Sequence, residues 1–179
     1  FCLLDAGGAY DLAGHTLGSK VHTPSQAPLL DVAPAGDWVI ATDMSYIAAC
    51  ALTAKGVVKC WGSNSHGQLG ISTSTTSNVP LSSHSFGYVP TGSVAVQVAV
   101  GDTHACVRTQ LDTVRCWGNP DYTGYTFNTQ GRTPILKLGD ISVTPSLMTD
   151  LPLGEPAASV QATDTGTCIL TYSGGVRCW

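Results

Sequence analysis

Six of the seven cysteines in this 179-residue chain stand in pairs of one spacing. Cys50 and Cys60, Cys106 and Cys116, and Cys168 and Cys178 each enclose nine residues, and Trp follows the second cysteine every time. Paired thiols serve as disulfides, as metal ligands or as buried free sulfhydryls. Zinc knuckles place about two to four residues between paired cysteines, so nine argues against a metal. Disulfides are the favoured reading and buried thiols the alternative. Disulfides imply an oxidising setting: extracellular, cell-surface or luminal.

A hairpin is the element that would bring such a pair together. With Cys50 opposite Cys60, Ala51 faces Lys59, Leu52 faces Val58 and Thr53 faces Val57, which leaves Ala54, Lys55 and Gly56 as a three-residue loop. Such a loop commonly closes on a left-handed residue, and Gly56 is placed there. The third copy ends its loop on Gly174, and the second on Asp112, a tolerated left-handed residue. Counting back from the loop sets the cysteines on a non-hydrogen-bonded pair, whose Cα separation of about 4.5 Å suits a disulfide. Each bond would contribute roughly 2–3 kcal/mol, an upper estimate for so short a loop. Cys2 is left over, because Leu12 holds the position where a partner would stand.

Other chemistry is sparse. His15, His22, His66, His84 and His104 form no metal-binding helix motif, and the chain has no Gly-x-Ser-x-Gly elbow and no phosphate loop. Alternation puts His104 on the face of Cys106, as a packed structural histidine. Asp43, Asp102 and Asp164 sit in or near turns and read as turn caps. Trp61, Trp117 and Trp179, at one repeated place, read as packing residues.

The three copies begin roughly 60 residues apart, a period suited to a unit of about four short strands with loops. Before Cys106, Val94, Val96, Val98 and Val100 alternate with smaller or polar residues, which predicts a strand with one buried face. Trp38, Ile40, Thr42 and Met44 take those places before Cys50. Each unit reads strand, turn, strand, three-residue loop, strand and long loop, with a fourth strand expected near Ile135–Leu138. The divisions are residues 1–35, a degenerate repeat and loop; 36–92, a repeat; 93–152, a repeat with a long insertion; and 153–179, an incomplete repeat.

"CALTAKGVVKCWGSNSHGQLG" resembles the repeat of the regulator of chromosome condensation family. Asn64, Gly67, Gln68, Leu69 and Gly70 match the end of that pattern, and Gly101 and His104 match its start. The Cys-paired form is similar to secreted or surface versions. The resemblance implies an all-β chain forming part of a β-propeller, used for binding. After Gly118 the pattern gives way to an insertion bearing Tyr122, Tyr125 and Phe127, the candidate partner contacts.

Composition narrows the function classes. Hydrophobic residues make up 43%, enough for a core, while charged residues make up only 11%. The net charge is −4 and the eight Lys and Arg are scattered singly, which argues against a nucleic-acid surface. No apolar run reaches the ~18 residues of a membrane helix. The Ser/Thr-rich stretch from Gly70 to Gly87 reads as a solvated loop, with O-glycosylation as the alternative. The leading expectation is a non-enzymatic interaction or structural module without a cofactor or metal, partnered by other protein chains or by further repeats of the same polypeptide. A carbohydrate-binding or carbohydrate-degrading surface protein and an exchange-factor-like regulator of a small GTPase are the alternatives. About three and a half units would leave a blade edge open, so further repeats or other chains are expected to complete the ring.

Overall fold

A computed structural model describes residues 3–5, 8–10, 32–71, 87–124 and 149–179. Among these residues are one two-stranded and three three-stranded antiparallel sheets. The two-stranded sheet pairs β1 (Leu3–Asp5) with β2 (Gly8–Tyr10). Blade 1 is β3 (Val39–Met44), β4 (Ala48–Thr53) and β5 (Val58–Gly62). Blade 2 is β6 (Ala95–Val100), β7 (His104–Thr109) and β8 (Val114–Gly118). Blade 3 is β9 (Ala157–Thr163), β10 (Gly166–Thr171) and β11 (Val176–Cys178). In each blade the strands pair in chain order, so the middle strand is the second.

The hairpins form in the register that their spacing predicts. Cys50 pairs with Cys60, Ala51 with Lys59 and Leu52 with Val58, and the other two copies follow suit. Gly56, Asp112 and Gly174 close the loops in left-handed conformation, with φ of 78°, 58° and 86°. A threonine three places after the first cysteine braces each loop. Thr53, Thr109 and Thr171 are buried, and their hydroxyls accept the loop N–H groups of Val57, Leu111 and Gly175 respectively. The β1–β2 hairpin turns more tightly. Leu3 faces Tyr10 and Asp5 faces Gly8, leaving two residues for the turn. That register is one residue away from the one that would set Leu12 across from Cys2; both residues lie outside the described part.

The first strands depart from simple alternation. β3 and β6 each shift register near their start, between Val39 and Ala41 and between Ala95 and Gln97, and β9 does so opposite Leu170 and Thr171. An extra residue in one strand reverses which side its neighbours face. Ala95 therefore enters the core, while Val94 and Val96 stay 40% and 39% exposed. Val98 and Val100 are buried as expected. Trp38 and Ile40 are exposed for the same reason.

The core lies between blades. Cys50, Leu52 and Val58 of blade 1 meet Ala95, Val98, Val107 and Trp117 of blade 2 in one cluster. Cys106, Val114 and Cys116 of blade 2 meet Ala157, Val160 and Ile169 of blade 3 in another. Each such fully buried aliphatic side chain contributes about 1.5–3 kcal/mol. Beyond β5, Val89 makes a single bridge to Val58, and beyond β8 the Leu151 N–H donates to the Val114 carbonyl at 2.8 Å. These segments hold the fourth-strand position among the described residues. Ile135–Leu138 lies outside them.

Candidate functional site

The paired cysteines are joined. Cys50–Cys60, Cys106–Cys116 and Cys168–Cys178 are disulfides with Cα separations of 4.1, 4.0 and 4.1 Å. The first two are buried between blades, whereas Cys178 is exposed. Among the described residues, no group of three or more His, Cys, Asp or Glu could hold a metal.

The residues around Trp117 show what the repeated motifs accomplish. The indole N–H donates to the main-chain carbonyl of Gln68, in the loop that leaves blade 1, at 2.8 Å. That loop is fixed from within. Asn64 accepts the Leu69 N–H at 3.1 Å through Oδ1, and Gln68 accepts the His66 N–H at 2.8 Å through Oε1. Gln68 Nε2 then reaches across to the Asp102 carbonyl at 3.2 Å. Gly70, at φ 64°, lies against the indole edge, where a Cβ would stand 2.7 Å from Nε1. Asn64, Gln68, Leu69 and Gly70 thus form a latch that holds the tryptophan of the next blade.

A family description, the regulator of chromosome condensation repeat, matches residues 48–68 and 95–123, which run from β4 into this latch as far as Gln68 and then from β6 through Thr123. Both stretches carry the regulator of chromosome condensation repeat. Solved structures agree on the fold. Human WBSCR16 superposes with a TM-score of 0.65 at 15% identity, over 96% of this chain and 41% of that one. Yeast RCC1 (Prp20), solved with Kap60, gives 0.60 at 18% identity, over 79% and 32%. Prp20p from Saccharomyces cerevisiae, whose binding to Gsp1p and histones was characterised with its structure, gives 0.57 at 19%, over 79% and 33%. The chain spans at most 41% of the length of these three. No curated protein matches it in sequence.

The condensation-regulator repeat explains the place where the sequence pattern gives way. After Trp117 the loop is shorter, yet it makes the same latch. Trp179 donates to the Tyr122 carbonyl at 3.1 Å, and Gly124 lies under its indole at φ 77° as Gly70 lies under Trp117. Trp61 is buried too, and its Nε1 has no partner among the described residues.

Tyr122 is half-buried, and its ring lies 5.6 Å from that of His104. Tyr125 and Phe127 lie outside the described residues. His104 is fully buried and bonds Thr167 Oγ1 of blade 3 through Nε2 at 2.8 Å. Thr167 donates its own hydroxyl proton to the Tyr122 carbonyl at 2.9 Å, so Nε2 donates to Thr167. Burial holds its pKa down to about 4. The equivalent position of blade 1 is Ala48, which faces the apolar cluster. His104 is thus a packed structural residue whose shape the interface demands.

Two further ties join the first strands, and neither was visible in the motif. Asp43 Oδ2 accepts the Val100 N–H at 2.7 Å, and the Gln97 amide meets both backbone groups of Val160 at 2.8 and 3.1 Å. Asp102 reaches back to the Tyr46 N–H at 3.1 Å. Asp43 and Asp102 therefore cap the backbone of a neighbouring blade. Their partners lie 56 or more residues away, so no local pattern announces them. The repeated Cys-x-x-Thr, by contrast, was available in the sequence.

Large apolar side chains remain exposed at the end of the blades that carries the hairpin loops. They are Trp38 and Ile40 before and within β3, Val94 and Val96 at the same positions of blade 2, and Leu111 and Tyr172 in the loops. The main chain is tied there as well, since Ala54 and Gln110 donate to the Trp38 and Val94 carbonyls, both at 2.9 Å.

Proposed function

We propose that this chain is a disulfide-stapled protein-binding module without catalytic function, working in an oxidising compartment. The observation that carries this reading is the exposure of Trp38, Ile40, Val94, Val96, Leu111 and Tyr172 at the hairpin-loop end of disulfide-braced blades. Exposed aromatic and aliphatic side chains grouped on a braced framework are what protein interfaces use as anchors. The polar side chains of the repeat instead serve contacts between blades. The three disulfides support an extracellular or luminal setting, where such bonds persist.

A test of binding compares the chain with its Trp38→Ser/Leu111→Ser variant in cross-linking capture of proteins from secreted fractions. Loss of the captured protein at unchanged melting temperature supports the reading. Capture that is indifferent to both substitutions counts against it. Alkylation without reduction, followed by mass mapping, tests the compartment: three linked pairs support it, and free thiols in the native protein overturn it.

A second reading has one observation behind it. The fold is shared with yeast Prp20, which was studied for binding to Gsp1p and histones. An exchange-factor-like regulator of a small GTPase would share that scaffold. The buried disulfides weigh against it, because reducing compartments keep thiols open.

A further inference from the structure

The two blade junctions share one apolar plan but differ at one place. Cys50, Leu52 and Val58 of blade 1 lie against Ala95, Val98 and Val107 of blade 2, as Cys106, Val114 and Cys116 of blade 2 lie against Ala157, Val160 and Ile169 of blade 3. At the start of the middle strand, blade 1 has Ala48 and blade 2 has His104, both buried. The junction between blades 2 and 3 therefore encloses a titratable ring where the junction between blades 1 and 2 has a methyl group.

A chain of hydrogen bonds runs from that ring. Nε2 of His104 donates to Thr167 Oγ1 at 2.8 Å, Thr167 donates to the Tyr122 carbonyl at 2.9 Å, and the Trp179 indole donates to the same carbonyl at 3.1 Å. The imidazole thus fastens β10 and the loop after β8 together, and that loop holds Trp179. Cys106 Sγ lies 3.9 Å from the same Thr167 hydroxyl, so the buried disulfide of blade 2 is part of the same contact. Nδ1 of His104 is buried without a partner among the described residues. Main chain stands beside it: a Cβ on Gly101 would come to 2.8 Å from Nδ1 and 2.6 Å from Cε1.

A second proton has to enter the ring at Nδ1, because Nε2 already carries one. There it meets no acceptor, and a buried cation without a partner is strongly unfavourable. The surrounding elements offer little relief. Their carboxylates are Asp102 on the turn before β7, Asp121 in the loop after β8 and Asp164 on the turn between β9 and β10. Asp102 accepts the Tyr46 N–H, Asp121 and Asp164 are exposed, and none of the three is bonded to the imidazole among the described residues. Tyr122 presents its ring at 5.6 Å. Burial holds the pKa of His104 down to about 4, against a smaller opposing effect of the Gly166 main chain. Opening the junction returns the ring to water and to its ordinary value of about 6.5. The open form then binds a proton through a pH range in which the closed form does not. The closed junction keeps its full advantage above about pH 6.5 and loses it as the pH falls towards 4. We propose that mild acid opens the junction between blades 2 and 3 at His104, freeing the loop after β8 from β10 and baring the Cys106–Cys116 bond, while the junction between blades 1 and 2 stays closed. A histidine sealed at an interface is a means by which folds turn a change of pH into a change of shape.

The test follows reduction of each disulfide by a water-soluble phosphine, which remains active in acid, at about pH 7.5 and about pH 5, with differential alkylation and mass mapping after the reagent is removed. Reduction requires access to sulfur. Cys50–Cys60 is the internal reference, since its junction has Ala48. The ratio of the Cys106–Cys116 rate to the Cys50–Cys60 rate should rise about thirtyfold between these pH values, the factor set by pKa values of about 6.5 in the open form and about 4 in the closed one. A ratio that stays flat overturns the proposal, whether both pairs accelerate together or neither does. His104→Gln keeps an N–H for Thr167 and does not titrate, so its ratio should be independent of pH; a rise that persists in this variant refutes the role of His104. Should His104→Gln lack a cooperative urea transition, Asp102→Asn, Asp121→Asn and Asp164→Asn decide the matter. The rise persists in all three if the imidazole is the switch, and its loss in any one of them overturns the proposal. These readouts involve no binding partner, so they stand apart from the function proposed above.

Discussion

Trp117 of blade 2 gives its indole proton to the main-chain carbonyl of Gln68 in blade 1, at 2.8 Å, and Trp179 repeats the bond to Tyr122 one blade on, at 3.1 Å. The repeated tryptophan thus belongs to two blades at once. Trp117→Phe keeps most of the apolar contact but leaves a buried carbonyl unpaired. The expected loss is about 1–3 kcal/mol in urea unfolding. Trp117→Ala removes the packing too, and about 3–5 kcal/mol is expected.

Glycines of the latch and of the hairpin differ in what surrounds them. Gly70→Ala and Gly124→Ala would bring Cβ to 2.7 and 2.5 Å from an indole nitrogen, in addition to the strain of a positive φ. Gly174→Ala has the same kind of φ but nothing within 4 Å. The hairpin variant should lose only about 1–2 kcal/mol, the cost of a left-handed alanine, and both latch variants should lose clearly more. Equal melting temperatures for the three would refute the packing argument.

His104 makes blades 2 and 3 sensitive to acid. Its folded pKa is held down to about 4 by burial, below the ordinary histidine value of about 6.5. The unfolded chain therefore takes up a proton before the folded chain does. Stability is complete above about pH 6.5 and falls as the pH drops towards 4, by up to about 3 kcal/mol. Urea midpoints measured across that range should show the slope in the wild type. His104→Gln should flatten it.

Thr109 links the hairpin loop of blade 2 to its strand, through Leu111 N–H at 3.2 Å and the Thr113 hydroxyl at 2.8 Å. Thr109→Val keeps the shape and deletes these bonds. A loss of about 1 kcal/mol is expected, without change in the disulfide pattern on mass mapping. Thr53→Val and Thr171→Val should behave alike, since the repeat places the same hydroxyl in the same loop.

Loss of a buried disulfide should cost more than its loop length suggests. Cys106→Ala/Cys116→Ala removes two fully buried sulfurs from the cluster shared with Val160 and Ile169, as well as the cross-link. Cys168→Ala/Cys178→Ala removes a cross-link on an exposed face. The first variant should melt well below the second.

The sequence by itself determined the hairpins. Cys50 opposite Cys60, a three-residue loop, and a left-handed residue at Gly56, Asp112 or Gly174 all follow from spacing, because both strands and their loop lie within a dozen residues. The packed role of the tryptophans was legible because repetition marks architecture, and that of His104 because alternation set it on the face of Cys106. Only the tertiary structure decided which side of the first strands is buried. A register shift near Ala95 sends Val94 and Val96 outward, and alternation alone cannot show it. The structure also decided which groups meet between blades. Trp117 finds a carbonyl 49 residues away, and His104 finds a hydroxyl 63 residues away. Main-chain carbonyls carry no residue type, so the sequence marks the donor and leaves the acceptor to packing.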